Sequence, residues 1–136
     1  MAKTLKFANV ITCEHVVAGS MNKPTLIGVY SGDILIESFP VGITIGVYIE
    51  HIADPDQNGK IVLTLMLGKQ VIGRVLAESP MTPGATGIIA IPFIPIQLTE
   101  NTNFKVIASC DGFKNKVIVD QKISVGKMPL IPSANI

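Results

Sequence analysis

The sequence predicts an all-β protein built as a single antiparallel β-sandwich, and three observations support this fold class. Ile, Val and Thr are abundant, with 20, 13 and 9 copies among 136 residues, and β-branched side chains suit a pleated sheet better than a helix. Apolar and polar residues alternate with a period of two over most of the chain, as in half-buried strands. Turn-forming residues recur roughly every ten positions, which indicates eight or nine short strands.

Three strands are predicted in the N-terminal third. They cover residues 6–13, 25–31 and 33–37, with a loop over residues 18–24 between the first two and a turn at Phe39-Pro40. Each strand is short and apolar, so each is expected to cover one side of a common core.

The clearest alternation lies in the middle of the chain. Residues 43–49 place an apolar side chain at every second position, and residues 60–67 do the same. Asn58-Gly59, in the loop between them, supplies a positive φ at low cost. We therefore predict that these two segments pair as an antiparallel hairpin.

The next segments contain the strongest breaks in the pattern. Residues 71–77 read as a strand, and a loop rich in Pro, Gly and Thr follows over residues 78–87. Residues 88–98 are apolar but include Pro92 and Pro95. Proline cannot donate to a sheet ladder, so we predict an edge strand or a bulged strand here.

The C-terminal part predicts one more hairpin. Residues 104–110 and 116–125 alternate, and Asp111-Gly112 forms the turn between them. The domain organisation that follows is a sandwich over residues 1–126 and a Pro-containing tail over residues 127–136. Two packed antiparallel sheets are the simplest arrangement of these strands, with a closed β-barrel as the alternative.

Three short motifs lie in the N-terminal third: Phe7-Ala-Asn-Val10 with Cys13-Glu14, Lys23-x-x-Leu26-Ile-Gly-Val-Tyr-Ser31, and Phe39-Pro40. Together they resemble a family of small uncharacterised bacterial β-sandwich proteins that carries only a domain-of-unknown-function label. The segment from Pro95-Ile-Gln-Leu98 through Phe104-Lys-Val106 to Asp111-Gly112 resembles the last hairpin of immunoglobulin-like sandwiches. These resemblances imply an immunoglobulin-like β-sandwich and no particular chemistry.

The charge content excludes several partners. Charged residues make up 15% of the chain and the net charge is +1, without the clustered cations that nucleic-acid binding needs. Five acids lie within residues 33–56 and five lysines within residues 105–127, so unlike patches are available for a head-to-tail contact. Residues 79–99 carry no charge, but their prolines and glycines argue against a membrane-spanning helix.

Cysteine usage and the N-terminus both indicate the cytoplasm. Cys13 and Cys110 are the only cysteines and form no CxxC motif. Buried free thiols are favoured, with a disulfide as the alternative. The apolar run Phe7–Ile11 is shorter than the hydrophobic region of a secretory signal peptide.

The loop before residue 60 contains the one metal-binding pattern in the sequence. Asp54, Asp56 and Asn58, followed by Gly59, copy the first half of an EF-hand calcium loop. The position that should supply the closing glutamate is Leu65, and strands flank the loop instead of helices. An ordinary turn is therefore preferred, with these three residues as a weak calcium candidate. No cofactor is predicted.

No catalytic motif is found, so we expect a non-enzymatic structural or protein-interaction module. Low charge and free sheet edges favour a homo-oligomer that associates through those edges and the tail. The interface candidates are Ile94, Ile96, Met128, Leu130 and Ile131. One alternative is a small-molecule-binding or sensor domain with residues 78–87 as its lid. Another is a phage or assembly structural component.

Overall fold

The computed structural model describes residues 3–57, 60–78 and 82–126. The one helical turn in these ranges is the 3₁₀ turn Ser20–Asn22, and no helix there is long and apolar enough to cross a membrane. The strands are β1 Lys3–Thr4, β2 Lys6–Val17, β3 Thr25–Val29, β4 Ile34–Ile36, β5 Val41–Ile52, β6 Lys60–Leu67, β7 Gln70–Glu78, β8 Thr86–Leu98, β9 Thr102–Ser109, β10 Phe113–Lys114 and β11 Lys116–Val125.

The strands form two open sheets that pack face to face. One sheet has four antiparallel strands in the order β3-β2-β5-β8. The other has five strands in the order β4-β11-β9-β6-β7, in which β4 runs parallel to β11. A short parallel pair joins β1 to β10. The predicted all-β sandwich is therefore confirmed, and within the described residues neither sheet closes into the alternative barrel.

The core lies between the two sheets and takes every second residue of the long strands. Burying one such aliphatic or aromatic side chain contributes about 1.5–3 kcal/mol, so the alternation seen in the sequence is also the main source of stability. The central buried residues are Ile45, Val47 and Ile49 of β5, Ile61, Leu63 and Leu65 of β6, and Phe104, Val106 and Ala108 of β9.

The predicted hairpin between residues 43–49 and 60–67 is wrong. β5 pairs with β2 and β8, whereas β6 pairs with β7 and β9 in the other sheet. The chain therefore crosses from one sheet to the other between β5 and β6. Each strand does have one apolar face, but the two faces meet across the core instead of lying side by side. A period of two identifies which face of a strand is buried, but it does not determine which strand pairs with it.

β8 has both properties that its prolines predicted. It is an edge strand that pairs only with β5, and it bulges where Pro92 and Phe93 together oppose Gly46. The carbonyl oxygen of Pro92 comes so close to β5 that a Cβ added to Gly46 would lie 2.6 Å from it. Only glycine fits without displacement where β5 meets this bulge.

Most other strand predictions hold, with changed boundaries. β6 and β11 begin and end where predicted, at residues 60–67 and 116–125, and β9 pairs with β11 as the predicted last hairpin. β2 is longer than predicted and continues to Val17. Residues 127–136, the predicted tail, lie outside the described residues.

Gln121 of β11 links the two sheets by hydrogen bonds. Its Nε2 atom donates to the carbonyl oxygens of Tyr30 and Gly32, at 3.2 and 2.7 Å. Its Oε1 atom accepts a hydrogen bond from Thr12 Oγ1 of β2. Directional bonds therefore join the sheets in addition to apolar packing.

Candidate functional site

The calcium candidate is an ion-paired turn. Lys3 Nζ lies 3.3 Å from Asp54 Oδ1 and 2.5 Å from Asp56 Oδ2. The backbone N–H of Asp56 donates to Asp54 Oδ1 at 2.9 Å, and this bond, followed by the contact with Lys3, lowers the pKa of Asp54. Asn58 lies outside the described residues. The two carboxylates that are described thus have a lysine and a backbone donor as partners.

The histidines and cysteines hold structural positions. His51 is buried, with its Nδ1 atom 3.0 Å from the carbonyl oxygen of Lys6 and its Nε2 atom 3.0 Å from Gln57 Oε1. Cys13 and Cys110 are both buried and form no disulfide, as the sequence favoured. Burial raises the pKa of both thiols, which makes them poor nucleophiles at neutral pH. Among the described residues, no cluster of three or more potential metal-ligating side chains is found.

Two of the five interface candidates can be placed, and both face inward. Ile96 is only 5% exposed and belongs to the core, and Ile94 packs against that core. Met128, Leu130 and Ile131 lie outside the described residues. The bulge at Pro92 and Phe93 adds one residue to β8, which shifts the alternation of inward and outward side chains by one position. The side chain of Phe93 is exposed as a result.

The outer surface of the four-stranded sheet exposes large apolar side chains, as the five-stranded sheet also does at Leu76 and Val117. We call this surface of the four-stranded sheet the outer apolar face, defined by Ile11, Ile27, Val29, Ile88 and Phe93. Four of these side chains are strongly exposed: Val29 by 54%, Phe93 by 52%, Ile27 by 48% and Ile88 by 43%. Ile27 and Val29 belong to β3, and Ile88 and Phe93 belong to β8, so the strongly exposed residues lie on the two edge strands of the sheet. Ile11 of β2 lies between them and is half-buried.

The strand register connects Ile27 to Phe93 through His15, whereas Ile88 lies opposite Glu50. His15 of β2 lies opposite Ile27 of β3, and its ring meets the ring of Phe93 edge to face at 5.2 Å. Further along β2, Ile11 lies opposite Tyr48 of β5. A polar corner remains at Glu50, which accepts hydrogen bonds from Asn9 and Tyr48.

The sheet edges are less suited to pairing than the outer apolar face. β8 carries two prolines, which cannot donate hydrogen bonds. β3 contains Gly28 at a φ of +64°, which interrupts the regular strand. β7 carries Arg74, and β4 has only three residues. Prolines, charges and short length are the means by which natural sheets prevent edge-to-edge pairing.

A groove of about 540 Å³ opens at one end of the four-stranded sheet. We call it the end groove. Its walls combine apolar and polar side chains from β2, β5, β8 and the segment after β3. The lining residues are Glu14, Tyr30, Gly42, Ile43, Thr44, Pro95, Ile96 and Gln97.

Hydrogen bonds fix the polar wall of the end groove. Tyr30 donates its hydroxyl hydrogen to the carbonyl oxygen of Thr44 at 2.8 Å, and Thr44 Oγ1 donates to the carbonyl oxygen of Glu14 at 2.9 Å. Burial, with the nearby charges of Glu14 and Cys13, raises the pKa of Tyr30 to about 12. Tyr30 therefore keeps its proton at neutral pH.

A glycine positions the carboxylate of the groove. Gly28 has a φ of +64°, and a Cβ added there would lie 2.7 Å from Glu14 Cδ and 2.9 Å from Glu14 Oε1. The Glu14 side chain thus lies directly against the backbone of β3. Within the described residues Glu14 forms no ion pair, so its charge is available to a ligand.

The described part of the loop that the sequence predicted as a lid lies at the opposite end of the sheet from the end groove. Gly84 donates its N–H to the carbonyl oxygen of Ala53, and Ala53 donates its own N–H to the carbonyl oxygen of Ala85. These contacts lie just beyond the last residue of β5, whereas Ile43 and Thr44 of the end groove lie near its start. At about 3.3 Å per residue the separation is roughly 30 Å, so Gly84 and Ala85 do not cover the groove.

The end groove has no counterpart among the sequence-predicted sites, except that Ile96 lines it. Its polar residues come from separate segments, and no spacing rule connects them. No protein-family model matches the chain, and no curated protein or solved structure shows significant similarity to it. The resemblance to a bacterial family therefore stays a prediction.

Proposed function

We propose that the protein is a non-enzymatic interaction module that associates with a second copy of itself through the outer apolar face. The observation that carries this proposal is the exposure of Val29, Phe93, Ile27 and Ile88 on one side of one sheet. Contiguous exposed apolar surface on a small domain marks interaction sites. The location proposed for it is the cytoplasm, where buried free thiols are common.

The size of the face is adequate for a dimer. Three strands of 12 or 13 residues and the five-residue β3 form this sheet. At about 4.8 Å per strand and about 3.3 Å per residue they cover roughly 660 Å² per copy, which lies within the range of about 600–1,000 Å² per partner in stable protein–protein interfaces. The prolines, the charge and the short length of the edge strands disfavour the edge-to-edge pairing that the sequence predicted. Contact through the outer apolar face is therefore favoured.

We assign the sandwich to the immunoglobulin-like class as part of the same proposal. Support comes from the strand order, in which β5 pairs with β8 in one sheet while β6, β9 and β11 are neighbours in the other. Immunoglobulin-like sandwiches divide their central strands between two sheets in this way. Such domains commonly act through exposed faces, but fold alone does not define a partner.

Light scattering coupled to size exclusion, from micromolar to millimolar protein, tests the dimer. The matched pair of variants is Val29→Thr on the outer apolar face and Val117→Thr on the five-stranded sheet, because the two valines are 54% and 53% exposed. Val29→Thr should raise the dimer Kd about fivefold or more, since burying an unpaired hydroxyl costs about 1–3 kcal/mol. Val117→Thr should leave it unchanged.

A monomer at all concentrations, or equal effects of the two variants, would contradict the proposal. Oligomers that keep growing with concentration would instead favour the alternative of a phage or assembly structural component, because an open-ended assembly needs two different contact surfaces.

A further inference from the structure

We propose that the end groove binds an organic ammonium ion, a primary amine carried on a short apolar chain. This inference is independent of the outer apolar face. It rests on an exposed carboxylate that lies against Gly28, a phenol and an apolar lining that are brought together in one open groove.

The carboxylate supplies the charge selection. Glu14 is held against Gly28 and forms no ion pair within the described residues, so a cation can approach its exposed oxygens. An exposed ion pair alone is weak in water. Binding therefore requires the apolar wall as well, which means that a bare inorganic cation is not the expected ligand.

The neighbouring polar groups accept hydrogen bonds from an ammonium group. The Tyr30 hydroxyl donates to Thr44, so a lone pair of its oxygen is left to accept one N–H. Gln97 lines the opposite side, with its amide nitrogen 3.3 Å from where a Cβ on Gly42 would be, and its amide oxygen is a further acceptor. A ligand with three N–H donors matches these groups, whereas an anion would be repelled by Glu14.

The apolar wall accounts for the rest of the ligand. The accessible apolar lining is Pro95, which is exposed, and Ile43, which is half-buried against the core. An alkyl chain of a few carbons placed along this wall gains about 0.8 kcal/mol for each buried CH₂ group. A divalent metal is a poor fit, because calcium takes six to eight oxygen ligands and the groove offers a single carboxylate.

The test is a titration of the full chain with n-butylammonium chloride, followed by the amide signals of the protein in ¹H–¹⁵N NMR spectra. We expect saturable shifts confined to residues 42–44, to residues 96 and 97, and to the neighbourhood of Glu14. Glu14→Gln should weaken binding about tenfold, and 1-butanol should bind about tenfold more weakly than butylammonium. Asp111→Asn, which changes the net charge equally in the β9–β10 turn, should have no effect.

A second variant distinguishes the effect of the position of the Glu14 carboxylate from the effect of its charge. Gly28→Ala keeps the carboxylate but places a methyl group where Glu14 now lies, so binding should weaken although the net charge is unchanged. Circular dichroism verifies that each variant is folded. Equal binding by wild type and Glu14→Gln would overturn the proposal. So would equal affinity for 1-butanol, or an absence of saturable shifts at millimolar ligand.

Discussion

The close approach of β8 to β5 makes Gly46 the most informative single position in the sandwich. In Gly46→Ala the new methyl carbon would lie 2.6 Å from the carbonyl oxygen of Pro92, 3.1 Å from the backbone nitrogen of Val16 and 3.3 Å from Cys13 Sγ. Two of these atoms belong to backbone that is held in strands. The substitution therefore forces β2 or the β8 bulge to move.

The cost of Gly46→Ala follows from the size of that movement. Reaching an ordinary van der Waals contact of about 3.5 Å requires a displacement of roughly 0.9 Å. Overpacking of this kind costs about 1–3 kcal/mol of the free energy of unfolding. For a domain of this length each kcal/mol lowers Tm by about 4 °C.

Gly73 in β7 provides the matched control. Like Gly46 it lies in a strand without a positive φ, but a Cβ there meets only Leu65 Cδ1, at 3.7 Å. Gly73→Ala should be neutral or stabilise by about 0.4–1 kcal/mol, because alanine restricts the unfolded chain.

Urea unfolding of both variants, monitored by circular dichroism, compares them directly. Faster labelling of the Cys13 thiol in Gly46→Ala would locate the disturbance near the bulge. Equal free energies of unfolding for the two alanine variants would refute the reasoning, because they would mean that the contact with Pro92 has no energetic consequence.

Two further predictions concern partly buried polar groups. Gln121→Ala should lower the free energy of unfolding by about 1–3 kcal/mol, because the Tyr30 carbonyl and the Thr12 hydroxyl lose their bonds to it; an unchanged urea midpoint would contradict this. Tyr30 should ionise at about pH 12, against an ordinary value near 10. The stability that it contributes is present below the unfolded pKa and is lost as the pH rises toward the folded value. Ultraviolet titration of tyrosinate in Tyr30→Phe should lack this late step, and its persistence would refute the assignment.

Local patterns predicted most strands but only part of their pairing. The hairpin of β9 and β11 followed from its alternation and its Asp-Gly turn, and the prolines of β8 identified an edge strand with a bulge. β5 and β6 carry equally clear alternation, yet they lie in different sheets. Side-chain periodicity depends on the local backbone, whereas the choice of neighbour depends on contacts between distant segments.

The candidate sites were less accessible to sequence analysis for a related reason. The bulge at Pro92 and Phe93 changes which side chains of β8 point outward, so Ile94 and Ile96 could not be assigned to a face by counting. Glu14, Tyr30 and Gln97 meet only after three strands are assembled. Of these, Glu14 and Tyr30 lie in the motifs that resemble a bacterial family, but nothing in those motifs indicated a groove.

The hydrogen bonds of Gln121 also affect how the two sheets separate during local unfolding. Apolar packing between two sheets has little directionality, so sheets held by it alone can separate strand by strand. Gln121 ties β11 to Thr12 of β2 and to the chain that leaves β3. Any fluctuation that releases one of these segments must break bonds to the others. The backbone amides of β2 and β11 near this point are therefore expected to belong to a single cooperative unit and to show one common free energy of opening in hydrogen exchange.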